Sequence, residues 1–405
     1  MKRFLIVGAI ALLFFTACPP VALNTARIAY FNDQDFEHAK EACLQGIETD
    51  PTNWELYAIL GGSEVGLNNW LSAADALTKA FEIDSTKMLG WIATQEGWKY
   101  YFQPFYYAAR ELSEEENFEK SLAHLMYAER LDPTDGRTYT LKGVILQQQG
   151  EVEKSREEFK KALDKDPKNP DVHFLIGKTW FEAKEYDSSL VYYTNAVEHY
   201  EDKYEKERKL IFRNLPASDR AVEHEILALW GIDDDKLDEL LTVVLDLEGG
   251  LKQNQRILDN YIKAVDGYSQ SYYFIGMSQL NLENFEEAYE GFKMSLEIVP
   301  DELNALYFAG EALIRLERYD EAKGFLKRAT ELKEDDLFSW WYIGVIEMQQ
   351  KNYQEAIKIF EGKVLILDEK NIDALTNLSY CYRELGNNQK AYEYLMKADK
   401  LQKEQ

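Results

Sequence analysis

The stretch Trp340-Trp341-Tyr342-Ile343-Gly344, followed by Asn352-Tyr353-Gln354-Glu355-Ala356 and then Phe360, decides how this chain folds. Compared with the rest of the sequence, it recurs. Gly276, Gly310 and Gly344 stand 34 residues apart, as do Ala288, Ala322 and Ala356, and Ala391 follows at 35. Upstream, Gly143 and Gly177, and Pro133 and Pro167, keep the same interval. Between these landmarks Asn284-Phe285-Glu286-Glu287-Ala288 and Arg318-Tyr319-Asp320-Glu321-Ala322 each open a second helix, so the repeating unit is a helix hairpin. Self-similarity at such a period marks a stacked array, because one hairpin cannot bury its apolar face alone.

Composition agrees. The 405 residues are 46% hydrophobic and 13% aromatic, enough to build a core, while only 9 Pro and 22 Gly suit helices better than a turn-rich β fold. Gly in the first helix and Ala in the second let the two approach closely, and aromatic residues fill the gap to the next hairpin. Pro51, Pro133, Pro167 and Pro300 punctuate the ends of second helices, since Pro cannot continue a helix and disfavours α geometry in the residue before it.

Trp340, Ile343-Gly344, Tyr353, Ala356 and Phe360 resemble the tetratricopeptide repeat, whose pattern runs Trp-x2-Leu-Gly-x2-Tyr, then Ala-x3-Phe, then Pro. Aligning the small residue of the second helix gives Ala39, Ala73, Ser121, Ser155, Ser189, Ala288, Ala322, Ala356 and Ala391; the first of these repeats lacks the Leu-Gly element. The resemblance implies an all-α, right-handed α-solenoid of about nine hairpins.

Two intervals break the period. Ser85 and Pro133 close successive units 48 residues apart, 14 too many, and the aromatic run Tyr100-Tyr101-Phe102-Gln103-Pro104-Phe105-Tyr106-Tyr107 places the insertion near 99–113. It is read as an elongated helix pair whose aromatics pack on a neighbouring repeat, or else as a binding lip. Gly177 and Gly276 are 99 residues apart. Residues 201–268 therefore hold either two degenerate hairpins or a helical insert; Leu237, Leu240, Leu241, Val244 and Leu245 fall at helical spacing behind Asp233-Asp234-Asp235, and Gly249-Gly250 ends that helix. The expected organisation is a signal segment over 1–17, an N-terminal block of about five repeats over 18–200, the segment 201–268, and a C-terminal block of four repeats over 269–405.

Met1-Lys2-Arg3 is a short basic start, and the apolar run Phe4 to Phe15 is too short to span a membrane, which takes roughly 20 residues. It reads as an export signal. With Phe15-Thr16-Ala17-Cys18 it resembles a bacterial lipoprotein signal with its lipobox, although Phe15 stands where Leu is usual. The resemblance implies lipidation of Cys18 and attachment to the membrane through lipid, in the bacterial cell envelope, at the outer membrane and facing the periplasm. The other reading is cleavage at Ala17 by ordinary signal peptidase.

Lys and Arg number 46 against 72 Asp and Glu, a net charge of −26, so a nucleic-acid partner is not expected. The five His include no i, i+4 pair, and neither a Gly-rich phosphate loop nor a Gly-x-Ser-x-Gly elbow occurs. Cys18, Cys43 and Cys381 have no zinc-like spacing, and Asp233-Asp234-Asp235 and Glu114-Glu115-Glu116 read as solvated helix starts. No catalytic residue, metal site or cofactor is expected.

In the resembled family the first helices line an inner groove. That register puts Tyr273, Tyr307 and Trp341 on the groove in three consecutive repeats, with Met277, Glu311 and Val345 one turn on. Core packing is the competing reading of these rings; if accessible, they suit a protein or peptide segment, or a glycan chain. The expected function is a non-catalytic interaction scaffold, lipid-anchored in the envelope, that assembles or regulates an envelope complex; the alternative is a surface receptor binding glycan through the aromatic groove.

Overall fold

The computed structural model describes residues 21–95, 101–213 and 220–404; the signal segment, Cys18 and Tyr100 lie outside them. Among the described residues every regular element is helical. The chain divides after Pro167 into two compact units.

The first unit holds α1 (Val21–Arg27), continued by a π turn over Ile28–Asp33, then α2 (Phe36–Thr49), α3 (Trp54–Gly66), α4 (Trp70–Thr94), α5 (Gln103–Glu114), α6 (Phe118–Leu131), α7 (Gly136–Gln148) and α8 (Val152–Lys165). Each helix packs on the next in sequence, as expected of an array whose units touch only their neighbours. The second unit holds α9 (Pro170–Glu182), α10 (Tyr186–Ile211), α11 (Ala221–Leu229), α12 (Asp234–Glu239), α13 (Gly250–Asn281), α14 (Phe285–Ile298), α15 (Leu303–Arg315), α16 (Tyr319–Leu332), α17 (Leu337–Gln349), α18 (Tyr353–Ile359), α19 (Leu365–Leu367), α20 (Ile372–Glu384) and α21 (Asn388–Glu404). Both units are α-solenoids of stacked hairpins.

The hairpin turns explain the period. A left-handed residue sits at Gln34, Asn68, Glu116, Gly150, Lys184, Glu283, Glu317, Lys351 and Gly386, one for each aligned repeat. Behind it the amide three positions past the helix bonds back five residues, as Asn284 N to Gln279 O and Arg318 N to Leu313 O, closing orphan carbonyls of the first helix. Into the first helices, Asn or Asp side chains supply the caps: Asn53 accepts from Glu55 N, Asp336 from Ser339 N and Asn371 from Ala374 N. All nine aligned small residues, Ala39 through Ala391, are buried where paired helices approach. The 35-residue step to Ala391 also has a cause. A π turn over Phe360–Val364 takes up one extra residue between α18 and α19.

The two irregular intervals resolve differently. α5 pairs with α6 as an ordinary hairpin, so the aromatic residues from Gln103 onward belong to a repeat and the extra residues precede Gln103, overlapping only the start of 99–113. They begin at Asp84, where α4 leaves helical geometry (φ −152°, ψ 89°) before a further helical stretch to Thr94. In the second unit, α10 and α13 run past the normal repeat length and pair antiparallel along it. Ser189 Oγ lies 2.9 Å from Ser278 Oγ, the Tyr193 ring stacks 5.3 Å from Phe274, and a Cβ on Gly267 would meet the Tyr200 ring at 2.2 Å. Beyond, α11, α12 and a π turn over Leu240–Val244 close the end of this long pair. There Glu223 is buried, accepting from the Tyr204 hydroxyl (2.6 Å), the Tyr261 hydroxyl (3.2 Å) and Arg208 Nε (2.7 Å), which satisfies a carboxylate that would otherwise be costly to bury.

Candidate functional site

Three consecutive first helices of the second unit, α15, α17 and α20, build the site. Asp336 caps α17 through Ser339 N at 2.9 Å and so fixes the turn that carries Leu337, Phe338 and Trp341. The Tyr307 ring, from α15, stands 5.6 Å from that of Phe338 and 5.5 Å from that of Tyr342, and the Trp341 ring stands edge-on 4.8 Å from Tyr342. These residues, with Asn371 and Asp373 from the start of α20, line a cleft of about 190 Å³. Its wall is aromatic and its rim carries one exposed carboxylate, Asp373.

Polar groups also border the rings. The Tyr307 and Tyr342 rings are neighbours at 5.5 Å, Glu311 acts electrostatically on both, and Arg315 lies 3.8 Å from Glu311. Burial, followed by the neighbouring Tyr342, holds the Tyr307 phenol above its ordinary value; burial does the same for Tyr342, with Glu311 next in weight. Both phenols therefore stay neutral at physiological pH.

Of the groove residues expected from sequence, Tyr307 and Trp341 meet in this cleft, whereas Glu311 does not line it and lies 3.8 Å from Arg315. Tyr273 does not line it either. Its ring packs 5.8 Å from Phe292 and 6.1 Å from Phe308, half-buried, and burial pushes its phenol up to about 12. Met277 is half-buried against the same core. Each ladder residue is thus partly in the core and partly open. Phe338, 62% exposed, was missed by the sequence reading. Its signal was available: it lies three residues before Trp341, on the same helix face.

A second cleft, of about 720 Å³, opens between α9, α10 and α13 and is lined by Phe174, Phe274, Lys178 and Lys263 among others. Asp171 on its edge accepts from the Tyr200 hydroxyl at 2.5 Å and pairs with Lys203 at 3.2 Å. Cys43 and Cys381 are buried, and burial pushes their thiols up to about 12 and about 11. Among the described residues no cluster of His, Cys, Asp and Glu could hold a metal ion, and no helix is long and apolar enough to cross a membrane.

Family models described as TPR repeat or tetratricopeptide repeat match residues 143–184, 310–364 and 347–404. No curated protein matches the sequence. Among solved structures, the chain is similar to YrrB, described as a TPR protein with an unusual peptide-binding site, at 20% identity and a TM-score of 0.40 over 60% of this chain and 92% of that one. It is also similar to MamA from Desulfovibrio magneticus RS-1, residues 41 to end, at 20% identity and a TM-score of 0.33 over 43% of this chain and 97% of that one.

Proposed function

This chain is a tetratricopeptide-repeat protein, and from that premise we propose that it is a non-catalytic scaffold which holds a peptide segment of a partner protein at the Tyr307–Trp341 cleft. The observation that carries the reading is the meeting of Tyr307, Phe338 and Trp341 around one cleft on successive first helices. Large rings that are half-buried lose little side-chain freedom on binding and offer wide apolar contact with polar tips, the setting of binding hot spots. The exposed Asp373 on the rim and the net charge of −26 favour a segment with a basic residue beside its apolar anchors.

Lipid anchoring through Cys18 and residence in a bacterial envelope extend this reading. They rest on the basic start, the apolar run and the Cys that follows Ala17. Anchored there, the scaffold assembles or regulates an envelope complex.

The test is partner capture from envelope extracts by the whole protein and by a Tyr307→Ala, Trp341→Ala double variant. The double variant is expected to retain its helical circular dichroism and to weaken capture at least about tenfold, roughly 1.4 kcal/mol. A folded double variant that captures the same partners in full would place the site elsewhere; an unfolded one would assign the rings to the core.

A further inference from the structure

The second hairpin differs from those of α15 and α17 in what lies on its groove-side residues. Ala58 and Gly62 of α3 flank Gly61 just as Tyr307 and Glu311 flank Gly310, and as Trp341 and Val345 flank Gly344. Tyr307 and Trp341 are half-buried, whereas Ala58 is 0% exposed. Indeed α3 is buried without interruption from Ala58 to Glu64, nearly two turns, so it is covered on every side. A first helix with an open groove face cannot be.

The cover is Tyr30, from the π turn after α1, together with the chain's own insertion. After the break at Asp84, the helical stretch to Thr94 buries only Met88, Trp91 and Ile92, at i, i+3 and i+4, and leaves Thr86, Lys87, Leu89, Gly90, Ala93 and Thr94 exposed. Those three join Ala58 in one hydrophobic cluster. The Trp91 ring lies 6.3 Å from that of Tyr30 and 5.7 Å edge-on from that of Tyr101, whose hydroxyl is 3.2 Å from the Tyr30 hydroxyl. The small groove residues make room for this layer: a Cβ on Gly62 would stand 2.5 Å from the Tyr30 hydroxyl oxygen. A one-sided helix this short, with Gly90 in its interior, is marginal by itself and gains its order from the surface it lies on.

We propose that the inserted helix is a built-in ligand: it fills the groove of the first two hairpins as an amphipathic helix from another protein would, by three apolar anchors on one face. These hairpins therefore take no external partner while it is in place. The inference stands apart from the cleft of the second unit and does not depend on it.

The test removes the ligand and returns it in trans. Deleting Met88 to Tyr101 from the full chain restores the 34-residue interval. A synthetic peptide of residues 84–95 is then titrated against the deletion variant and the intact protein by fluorescence anisotropy. Saturable binding to the variant, at least about tenfold tighter than to the intact protein and lost with a Trp91→Ala peptide, is the expected result. No binding to a folded variant, or equal binding to both proteins, overturns the proposal. A second measurement needs no deletion: in a Met88→Ala, Trp91→Ala full chain, amide exchange of Ala58 to Glu64 accelerates while that of Thr138 to Ile145 does not. Unchanged exchange of Ala58 to Glu64 overturns it equally.

Discussion

Gly344 lies against the ring of Phe360, sixteen residues later in the same hairpin: a Cβ on Gly344 would stand 2.7 Å from the Cε1 atom. The relationship recurs between Gly61 and Leu77, Gly143 and Phe159, Gly177 and Tyr193, Gly276 and Phe292, and Gly310 and Leu326. It ties the repeat's glycine to its large second-helix residue, and the period in the sequence is the shadow of this contact.

Gly344→Leu therefore forces Phe360, which is 0% exposed, out of its place, and overpacking of this kind costs about 1 to 3 kcal/mol. Glu355→Leu, on an exposed position one turn from Gly344's partner helix start and paired only with Lys358 at 2.7 Å, stays within about 0.5 kcal/mol. Thermal unfolding followed by circular dichroism should show a drop of several degrees for the first and almost none for the second. Equal drops would mean that Gly344 does not sit at a close approach.

The left-handed hairpin turns predict a gain. Glu317 holds φ 58° with a side chain that disfavours it, while Gly386 holds φ 79° at the same point of its own repeat. Glu317 is exposed, so Glu317→Gly relieves the strain without opening the core and is expected to stabilise by about 1 kcal/mol. Gly386→Ala is expected to destabilise by a similar amount. Denaturant midpoints read both, and a loss of stability in the first variant would overturn the strain argument.

How much of this was readable in the sequence depends on which contacts repeat. The Gly-to-large contact and the small second-helix residue repeat, so the hairpins, their number and the all-α solenoid were legible. The insertion was displaced because Tyr100 to Tyr107 are conspicuous, whereas the inserted helix is short and buries only Met88, Trp91 and Ile92. Residues 201–268 hid their pairing for a related reason: the α10 and α13 contacts are Ser to Ser, Tyr to Phe and Tyr to Gly, none of which follows the repeat's Gly and Ala code. Groove register placed Tyr307 and Trp341 on successive first helices, where they line one cleft, but the packing of Tyr273 on Phe292 and Phe308 depends on the rotation of one helix against the next, which no spacing encodes.

His124 predicts a pH dependence in the first unit. It is 3% exposed on α6, its ring 6.0 Å from Phe105 and its Nε2 3.3 Å from Asp75, which Lys120 also holds at 2.9 Å. Burial lowers its pKa from 6.5, an effect that Asp75 opposes and Lys120 adds to. The unfolded chain then binds the proton more readily than the folded one, so the contribution is complete above about 6.5 and is lost as pH falls toward the lower folded value. His124→Leu should flatten the decline in thermal midpoint between pH 7 and 5 relative to the parent. An unchanged slope would show that the ring is as easily protonated folded as unfolded.

The last prediction concerns the anchor. The apolar run from Phe4 to Phe15 is too short to span a bilayer, and among the described residues no helix is long and apolar enough to do so. The attachment we propose passes through Cys18, where a covalent lipid would supply buried hydrocarbon at about 0.8 kcal/mol per methylene. Cys43 and Cys381 offer no substitute site, because both are buried with thiols pushed well above the physiological range. In cells fed a fatty-acid analogue, Cys18→Ser should abolish labelling and move the protein from the membrane fraction to the soluble one, while Cys43→Ser and Cys381→Ser leave labelling intact. Full labelling of the Cys18→Ser protein would sink the anchor, and with it the envelope setting of the scaffold, but would leave the Tyr307–Trp341 cleft and its partner to be judged by their own test.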